Sequence, residues 1–363
     1  MDANALDLSR VPEEVGHQLQ RFFAERSAEI GRLGAPVQSA VLHLERFVLG
    51  GGKRIRPLYG WAGFVGGGGI ERAAEDPEAV MRAVSSLELI QACALIHDDI
   101  IDASDTRRGN PTVHRAIEAE HNKEQLLGDA ALFGQNTAIL IGDLALAWAE
   151  DMWRSSGVTA EALARAEGAW RGMRTEVIGG QILDISLEAA GSESVEMADQ
   201  VNRFKTAAYT IERPLHLGAA LAGADEATIE AFRGYGRDIG IAFQLRDDLL
   251  GVFGDSAVTG KPAGDDIREG KRTVLYAEAL SLLDAAGNPS ARTLREGIGA
   301  TSDPEALDAL AGVIRESGAV EAVEKRIASL TESGLAHLET ANINAAVAKT
   351  LRDLAIRSTE RRS

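Results

Sequence analysis

Asp98, Asp99 and Asp102 crowd the segment "LIHDDIIDASDTRRG", and the ten residues ahead of His97, "LELIQACALI", are almost wholly apolar. On a helix, residues four apart share a face, so Asp98 and Asp102 would point together, with Asp99 about 100° round. Like charges this close repel, and burial makes each costly to ionise. A divalent cation resolves the conflict. Hard oxygen ligands, few of them from the protein, suit Mg²⁺, which keeps several waters and shares its shell with substrate phosphates. A second apolar run meets aspartates in the same way: "GIAFQLRDDLLGVFGD" carries Asp247 and Asp248, and the two clusters lie 149 residues apart (247 − 98). Two such helices facing each other would line a cavity with acid on opposite walls and hold several ions around one diphosphate. A solvated acidic helix end is the plain alternative for either motif alone. The two motifs together weaken it.

Cations lie close by in sequence. "GGKRIRP" offers Lys53, Arg54 and Arg56 behind two glycines that let backbone approach a ligand; a basic surface turn is the plain alternative. Arg107 and Arg108 follow the first acidic cluster, Lys205 interrupts a helix in "RFKTAAYT", and Lys261 and Lys271 sit in a glycine-rich loop. Arginine forks fit phosphate oxygens two at a time, while lysines act as point charges. Acid for metal beside separate basic clusters suggests two phosphorylated substrates, one bridged through metal and one held directly.

The elements that must position these groups read as helices throughout. Apolar residues recur at helical spacing over 14–33, 36–49, 78–103, 134–154, 159–188, 195–222 and 225–252. Asp303 and Pro304 suit an N-cap and a first helical position. Glycines 66–69 and residues 254–272 read as loops, and alternating strand patterns are nearly absent. No linker or break in composition divides the 363 residues. The expectation is one all-α domain over 1–363, with a motif-bearing core over about 36–285 and less well defined helices over 286–363. A formal net charge of −17 argues against nucleic acid or an anionic membrane as the main partner. One cysteine, Cys93, excludes an intrachain disulfide. With neither a signal-like N-terminus nor an evident membrane span in sequence, a cytoplasmic protein is expected.

Taken in order, "GGKRIRP", "LIQACALIHDDIIDASDTRRGNPTVH", "GGQILD", "FKTAAYT", "FQLRDDLLGVFGD" and "GKPAGDDIREGKRT" resemble the trans-isoprenyl diphosphate synthase (polyprenyl synthetase) family, bacterial geranylgeranyl diphosphate synthases in particular. The resemblance spans about 51 to 276 and implies an isoprenoid-synthase-type helical bundle around a central cavity, acting as a homodimer. It implies Mg²⁺-dependent condensation of isopentenyl diphosphate with an allylic diphosphate, using about three ions. By the same resemblance Asp98, Asp102 and Asp247 would bind the metal, with Asp99 and Asp248 in support. Arg107, Lys205 and Lys261 would contact the allylic diphosphate. Lys53, Arg56 and Arg108 would hold isopentenyl diphosphate, with Gln91 and Phe243 beside it. Thr206 and Gln244 would lie near the reacting carbons. Gln181, Asp184, Tyr209, Asp266 and Lys271 match weaker positions. One departure stands out: the fifth position of the second motif is Gly251 where many relatives carry aspartate, so its acid is either missing or supplied by Asp255.

His97 adjoins the first motif and would pack or hydrogen-bond rather than act as a base, because in the family the proton leaves to the departing diphosphate. Product length depends on what lies behind Asp98. Ala94 and Cys93, about 6 and 7.5 Å back along a helix, are small where short-chain members carry bulky aromatics. A C20 product is expected, with a tunnel floor near Leu87, Trp148 or Met152. A longer-chain or farnesyl synthase, a regulatory subunit of a heteromeric synthase, a terpene cyclase and a helical scaffold are the competing readings.

Overall fold

The computed structural model describes residues 8–254 and 264–360. The fold is all-α, and among the described residues the only strands are two residues each, Thr106–Arg107 and Asn110–Pro111. The chain divides into two compact units: Met1–Ala169 with Pro214–Asp225, and Trp170–Arg213 with Glu226–Ser363.

The first unit begins with α1 (Val11–Leu33), α2 (Ala35–Leu49), α3 (Ile55–Gly66), α4 (Pro77–Ser85) and α5 (Leu87–Ile101). It continues through α6 (Val113–Lys123), α7 (Ala130–Arg154), the start of α8 (Ala160–Ala190) and most of α10 (Arg213–Leu221). Short polar residues start several of these helices. The Asp76 carboxylate accepts from Glu78 N–H with Pro77 in the first turn, and that of Asp129 accepts from Leu132 N–H. Trp61, Phe64, Phe22, Met81 and Leu87 are fully buried in its core. Backbones of α3 and α10 meet directly: a Cβ at Gly63 would lie 2.2 Å from Leu215 O, and one at Gly218 1.8 Å from Gly60 O. The expected single helix over 78–103 is interrupted at Ser86. There the Ser85 and Ser86 hydroxyls donate back to Met81 O and Ala83 O, and Ser86 N–H bonds Ala83 O in a tighter three-residue turn.

Two segments, Pro77–Ile101 and Ala130–Arg154, are long and apolar enough to cross a membrane by length and composition alone, which the sequence reading did not expect. Of the most apolar 18-residue stretch in each, 78% is buried in the first, a core element, and only 28% in the second. Leu132, Phe133, Ile139 and Leu140 of α7 and Leu127 just before it are exposed.

In the second unit, α8 leads through α9 (Val195–Val201) into a π-helical segment, Asn202–Glu212. The spacing predicts helix over 195–222, interrupted by polar groups around Lys205, and there the structure widens into the π-helical turns. Pro214 has no N–H to give Thr210 O, so the regular ladder is already broken there, and Arg213 N–H instead reaches five residues back to Ala208 O. Three glycines let neighbouring helices close onto this segment. A Cβ at Gly180 would lie 2.4 Å from Lys205 N, one at Gly236 2.4 Å from Glu212 Cα, and one at Gly240 2.5 Å from Ala207 Cα. The unit continues with α11 (Glu226–Phe253), α12 (Asp265–Glu269), α13 (Val274–Ala285), α14 (Ser290–Gly297), α15 (Pro304–Glu316), α16 (Ala319–His337) and α17 (Ala345–Thr359). Asp303 caps α15 by accepting from Ala306 N–H, as its sequence predicts. The region beyond 285 belongs to the core: Leu294, Leu310, Ile314, Val323 and Ile327 join one cluster with Leu245, Leu249 and Val252 of α11.

Candidate active site

In the first unit, α5 runs to Ile101 and ends in a capped turn. Ala103 adopts φ 50°, and Ser104 N–H returns to Asp99 O at 2.9 Å. Asp102 N–H still bonds Asp98 O, so the two carboxylates keep the one-turn spacing expected of them. Asp99 does something else. It is 1% exposed, and Oδ1 accepts from Arg107 Nε at 2.7 Å, with Arg107 Nη2 also 2.7 Å away. Arg107 Nη2 lies 3.5 Å from Asp98 Oδ2 as well. Burial alone would lower the Arg107 pKa; the Asp99 hydrogen bond and the charges of Asp98, Asp99 and Asp102 outweigh it and raise it above the ordinary value.

Arg107 and Arg108 sit on a hairpin that the sequence reading missed. Arg107 pairs with Asn110, and the two residues between, Arg108 at φ 54° and Gly109 at φ 75°, both turn left-handed, as a tight hairpin requires. The "RGN" triplet was the available signal. Arg108 Nη1 donates to Gly51 O at 2.8 Å, which joins this hairpin to the "GGKRIRP" loop. In that loop Gly51, Gly52 and Arg54 all have positive φ. Lys53 is exposed and Arg56 half-buried. The Arg54 side chain instead turns inward, donating to Glu88 Oε2 at 2.5 Å and Val48 O at 2.6 Å. Loss of hydration lowers the Arg108 pKa. Glu88 partly restores it, and Arg107, Arg54 and Arg56 lower it again, so the cluster would gain from an anion. Gln91 lies half-buried on α5. His97 fills the space left by Gly142, where a Cβ would lie 2.1 Å from Nε2. Its Nε2 faces Ile139 O at 3.0 Å and therefore donates, and Nδ1 lies 3.8 Å from Cys93 Sγ.

In the second unit, Asp247 is exposed and Asp248 is 3% exposed. Asp248 Oδ1 accepts from Gln244 Nε2 at 2.8 Å, and Gln244 Oε1 accepts from Thr206 Oγ1 at 2.8 Å. Burial pushes the Asp248 carboxyl well above the usual carboxylate range. The Gln244 hydrogen bond opposes this, and the charges of Asp266 and Asp247 reinforce it. Each acidic pair thus has one more accessible member, Asp98 or Asp247, and one buried member that orients a neighbouring side chain. Lys205 Nζ donates to Asp184 Oδ2 at 2.5 Å, and Lys271 Nζ lies 3.0 Å from Glu269 Oε2. Tyr209 is buried, and Phe243 and Gln181 are half-buried.

The vacant fifth position of the second motif has a structural answer. A Cβ at Gly251 would lie 2.0 Å from Oδ2 of Asp266. The Asp266 carboxylate occupies the space a side chain at 251 would take, so acid reaches this place from α12, 15 positions on (266 − 251). Gly264 at φ 77° and Gly270 at φ 79° bracket that short helix, and Gly299 N–H bonds Ile267 O, tying it to the chain after α14. Asp255 and Lys261 lie outside the described residues. Among the described residues no three His, Cys, Asp or Glu side chains form a ready-made cage. Mg²⁺ normally takes one or two carboxylates and completes its shell with water and phosphate, so this donor set suits it.

Gly251→Asp, which restores the commoner acidic pattern, is therefore expected to lower activity about tenfold by displacing Asp266. Gly251→Asp/Asp266→Ala should recover much of the loss. Turnover of both variants at saturating metal checks this; a gain in the single variant would contradict it.

The polyprenyl synthetase family profile matches residues 40–314. A geranylgeranyl pyrophosphate synthase from Corynebacterium glutamicum, solved with isoprenyl diphosphate and magnesium, is 61% identical with a TM-score of 0.95, covering 98% of this chain and 100% of that one. A geranylfarnesyl diphosphate synthase from Aeropyrum pernix is 35% identical over 295 residues, 80% of this chain and 83% of that protein. A geranylgeranyl diphosphate synthase from Sulfolobus acidocaldarius is 34% identical over 254 residues, 66% of this chain and 69% of that protein.

Proposed function

The chain belongs to the polyprenyl synthetase family, and on that premise we propose that it is a prenyltransferase joining isopentenyl diphosphate head to tail (1'-4) to an allylic diphosphate, with geranylgeranyl diphosphate as the product. The observation that carries the reading is the set of groups gathered in the first unit. Half-buried carboxylates Asp98 and Asp102 stand near Arg107, on the hairpin that Arg108 bridges to the Lys53–Arg56 loop.

By family resemblance Asp98 and Asp102, and separately Asp247, would hold magnesium, about three ions in all, and when bound it would supply positive charge to neutralise the diphosphate leaving group. Asp266 supplies the carboxylate that position 251 lacks. Asp99 and Asp248 serve one step back, the first fixing Arg107 and the second fixing Gln244. By family resemblance Arg107, held to Asp99 through Nε and Nη2, would contact the allylic diphosphate, and Lys205, steadied by Asp184, would add a point charge. By the same resemblance Lys53, Arg56 and Arg108 would hold isopentenyl diphosphate, with Gln91 and Phe243 assigned to the same substrate. The Thr206–Gln244–Asp248 chain holds oxygen dipoles in a fixed orientation near the allylic carbons as positive charge develops there. The allylic C–O bond breaks, the isopentenyl double bond attacks, and a proton passes to the departing diphosphate.

This chemistry needs two diphosphate substrates together. Inorganic diphosphate should be released only when isopentenyl diphosphate and an allylic starter are both present with Mg²⁺. Release from the allylic substrate alone would instead indicate a cyclase.

Product length follows from α5. Ala94 and Cys93, one turn behind Asp98, are small, and burial pushes the Cys93 thiol up to about 12, aided by the Asp143 charge, so it acts as a small inert wall. Ala94→Phe is expected to shorten the main product by at least one five-carbon unit, read by chromatography after dephosphorylation. An unchanged length would remove this position from the tunnel wall.

We also propose that the protein is cytoplasmic and forms a homodimer over α7, the dimer because only 28% of this helix's most apolar 18-residue stretch is buried within one chain. Sedimentation should give twice the 38.5 kDa chain mass, and Leu140→Glu should weaken the association.

A further inference from the structure

Arg246 stands immediately before Asp247, yet its side chain goes elsewhere. It is 8% exposed, and its charge would be costly there without partners. Nη1 and Nη2 donate to the two oxygens of Glu324 on α16 at 2.6 Å each. Nε donates to Thr359 O, the carbonyl of the last residue of α17, at 2.8 Å. A guanidinium at a helix C-terminus also meets the negative end of its dipole. A second bolt lies three turns earlier on α11, where Tyr235 Oη donates to Leu351 O of α17 at 2.7 Å. On roughly the opposite side of α11, Asp248 and Gln244 tie the helix to Thr206. The turn carrying Asp247 is thus gripped on two sides, and Asp247 itself is exposed between them.

We propose that Arg246 is a positioning residue. By clamping α11 to α16 and the end of α17, it fixes the rotation of α11 and so the aim of the Asp247 carboxylate. The inference rests on the reading of Asp247 as a metal ligand. A carboxylate stands roughly 6 Å from the helix axis, so a rotation of about 20° would move it by about 2 Å. Mg²⁺ tolerates far less, because it demands near-octahedral geometry at about 2.0–2.1 Å. The last turn of the C-terminal helix thereby becomes part of the support for the second acidic motif, although it offers no ligand itself.

The test compares wild type, Arg246→Met, Arg246→Lys, Glu324→Gln and Asp247→Asn. The probe is Mn²⁺ titrated with inorganic diphosphate and followed by electron paramagnetic resonance, alongside steady-state kinetics and the thermal midpoint without metal. Arg246→Met should weaken the Mn²⁺ midpoint at least fivefold and lower kcat about tenfold, leaving KM for isopentenyl diphosphate within twofold. Arg246→Lys, which keeps the charge but loses the fork, should fall between. A merely structural role would lower the thermal midpoint and leave the Mn²⁺ midpoint alone; that result in Arg246→Met, with Asp247→Asn shifted, overturns the proposal. An unshifted Asp247→Asn removes the ligand reading itself and the proposal with it. If Arg246→Met does not fold, Glu324→Gln decides: its carboxylate is half-exposed, and it should move the Mn²⁺ midpoint two- to threefold in the same direction.

Discussion

Asp98→Ala is expected to lower the rate of chain elongation by about a thousandfold or more, while the thermal midpoint of the metal-free protein moves by only about 2 °C. The reason is local. Asp98 is half-buried beside Asp102, and Arg107 lies 3.5 Å from it but 2.7 Å from Asp99. Removing Asp98 takes away a proposed metal ligand and some like-charge repulsion, but it leaves the Arg107–Asp99 bond in place. Steady-state turnover and a melting curve on the same preparation check both halves. A large fall in the melting temperature would mean that Asp98 holds the fold together and that its loss of activity says nothing about metal.

Asp99→Ala, one residue on, is expected to fail in the opposite order. Asp99 is 1% exposed and carries the hydrogen bond to Arg107 that offsets the cost of burying that guanidinium. Deleting the acid leaves a half-buried cation without its main partner. Breaking a buried pair this way costs about 3–5 kcal/mol, and the lower end applies because a quarter of the Arg107 side chain is exposed. Denaturant unfolding without metal should show that loss. Activity should fall as well, because Arg107 would no longer hold its place. Unchanged stability with lost activity would return Asp99 to the metal shell.

The contrast between these neighbours marks what the sequence could and could not say. The one-turn spacing of Asp98 and Asp102 was legible because helix geometry alone places them together. Which member of each acidic pair turns inward was not, because it depends on Arg107, carried on the following hairpin, and on Thr206, which reaches Gln244 from another element. The same holds for Arg54: three cations in four positions look alike until Glu88 on α5 claims one of them. Gly251 was legible as a departure, but its partner Asp266 was only a weak match until α12 folded back against it. The interruption at Ser86 and the π-helical segment had local signals in the paired serines and in Pro214. Both were overridden in the sequence reading by the strength of the surrounding helical period. The all-α class needed no tertiary information at all.

The most direct test of the account offers labelled isopentenyl diphosphate and Mg²⁺ to the purified protein with dimethylallyl, geranyl or farnesyl diphosphate in turn, and sizes the dephosphorylated products. A sharp C20 product that disappears with chelator and with Asp98→Ala is expected. No elongation from any starter, or elongation that survives both treatments, would contradict it.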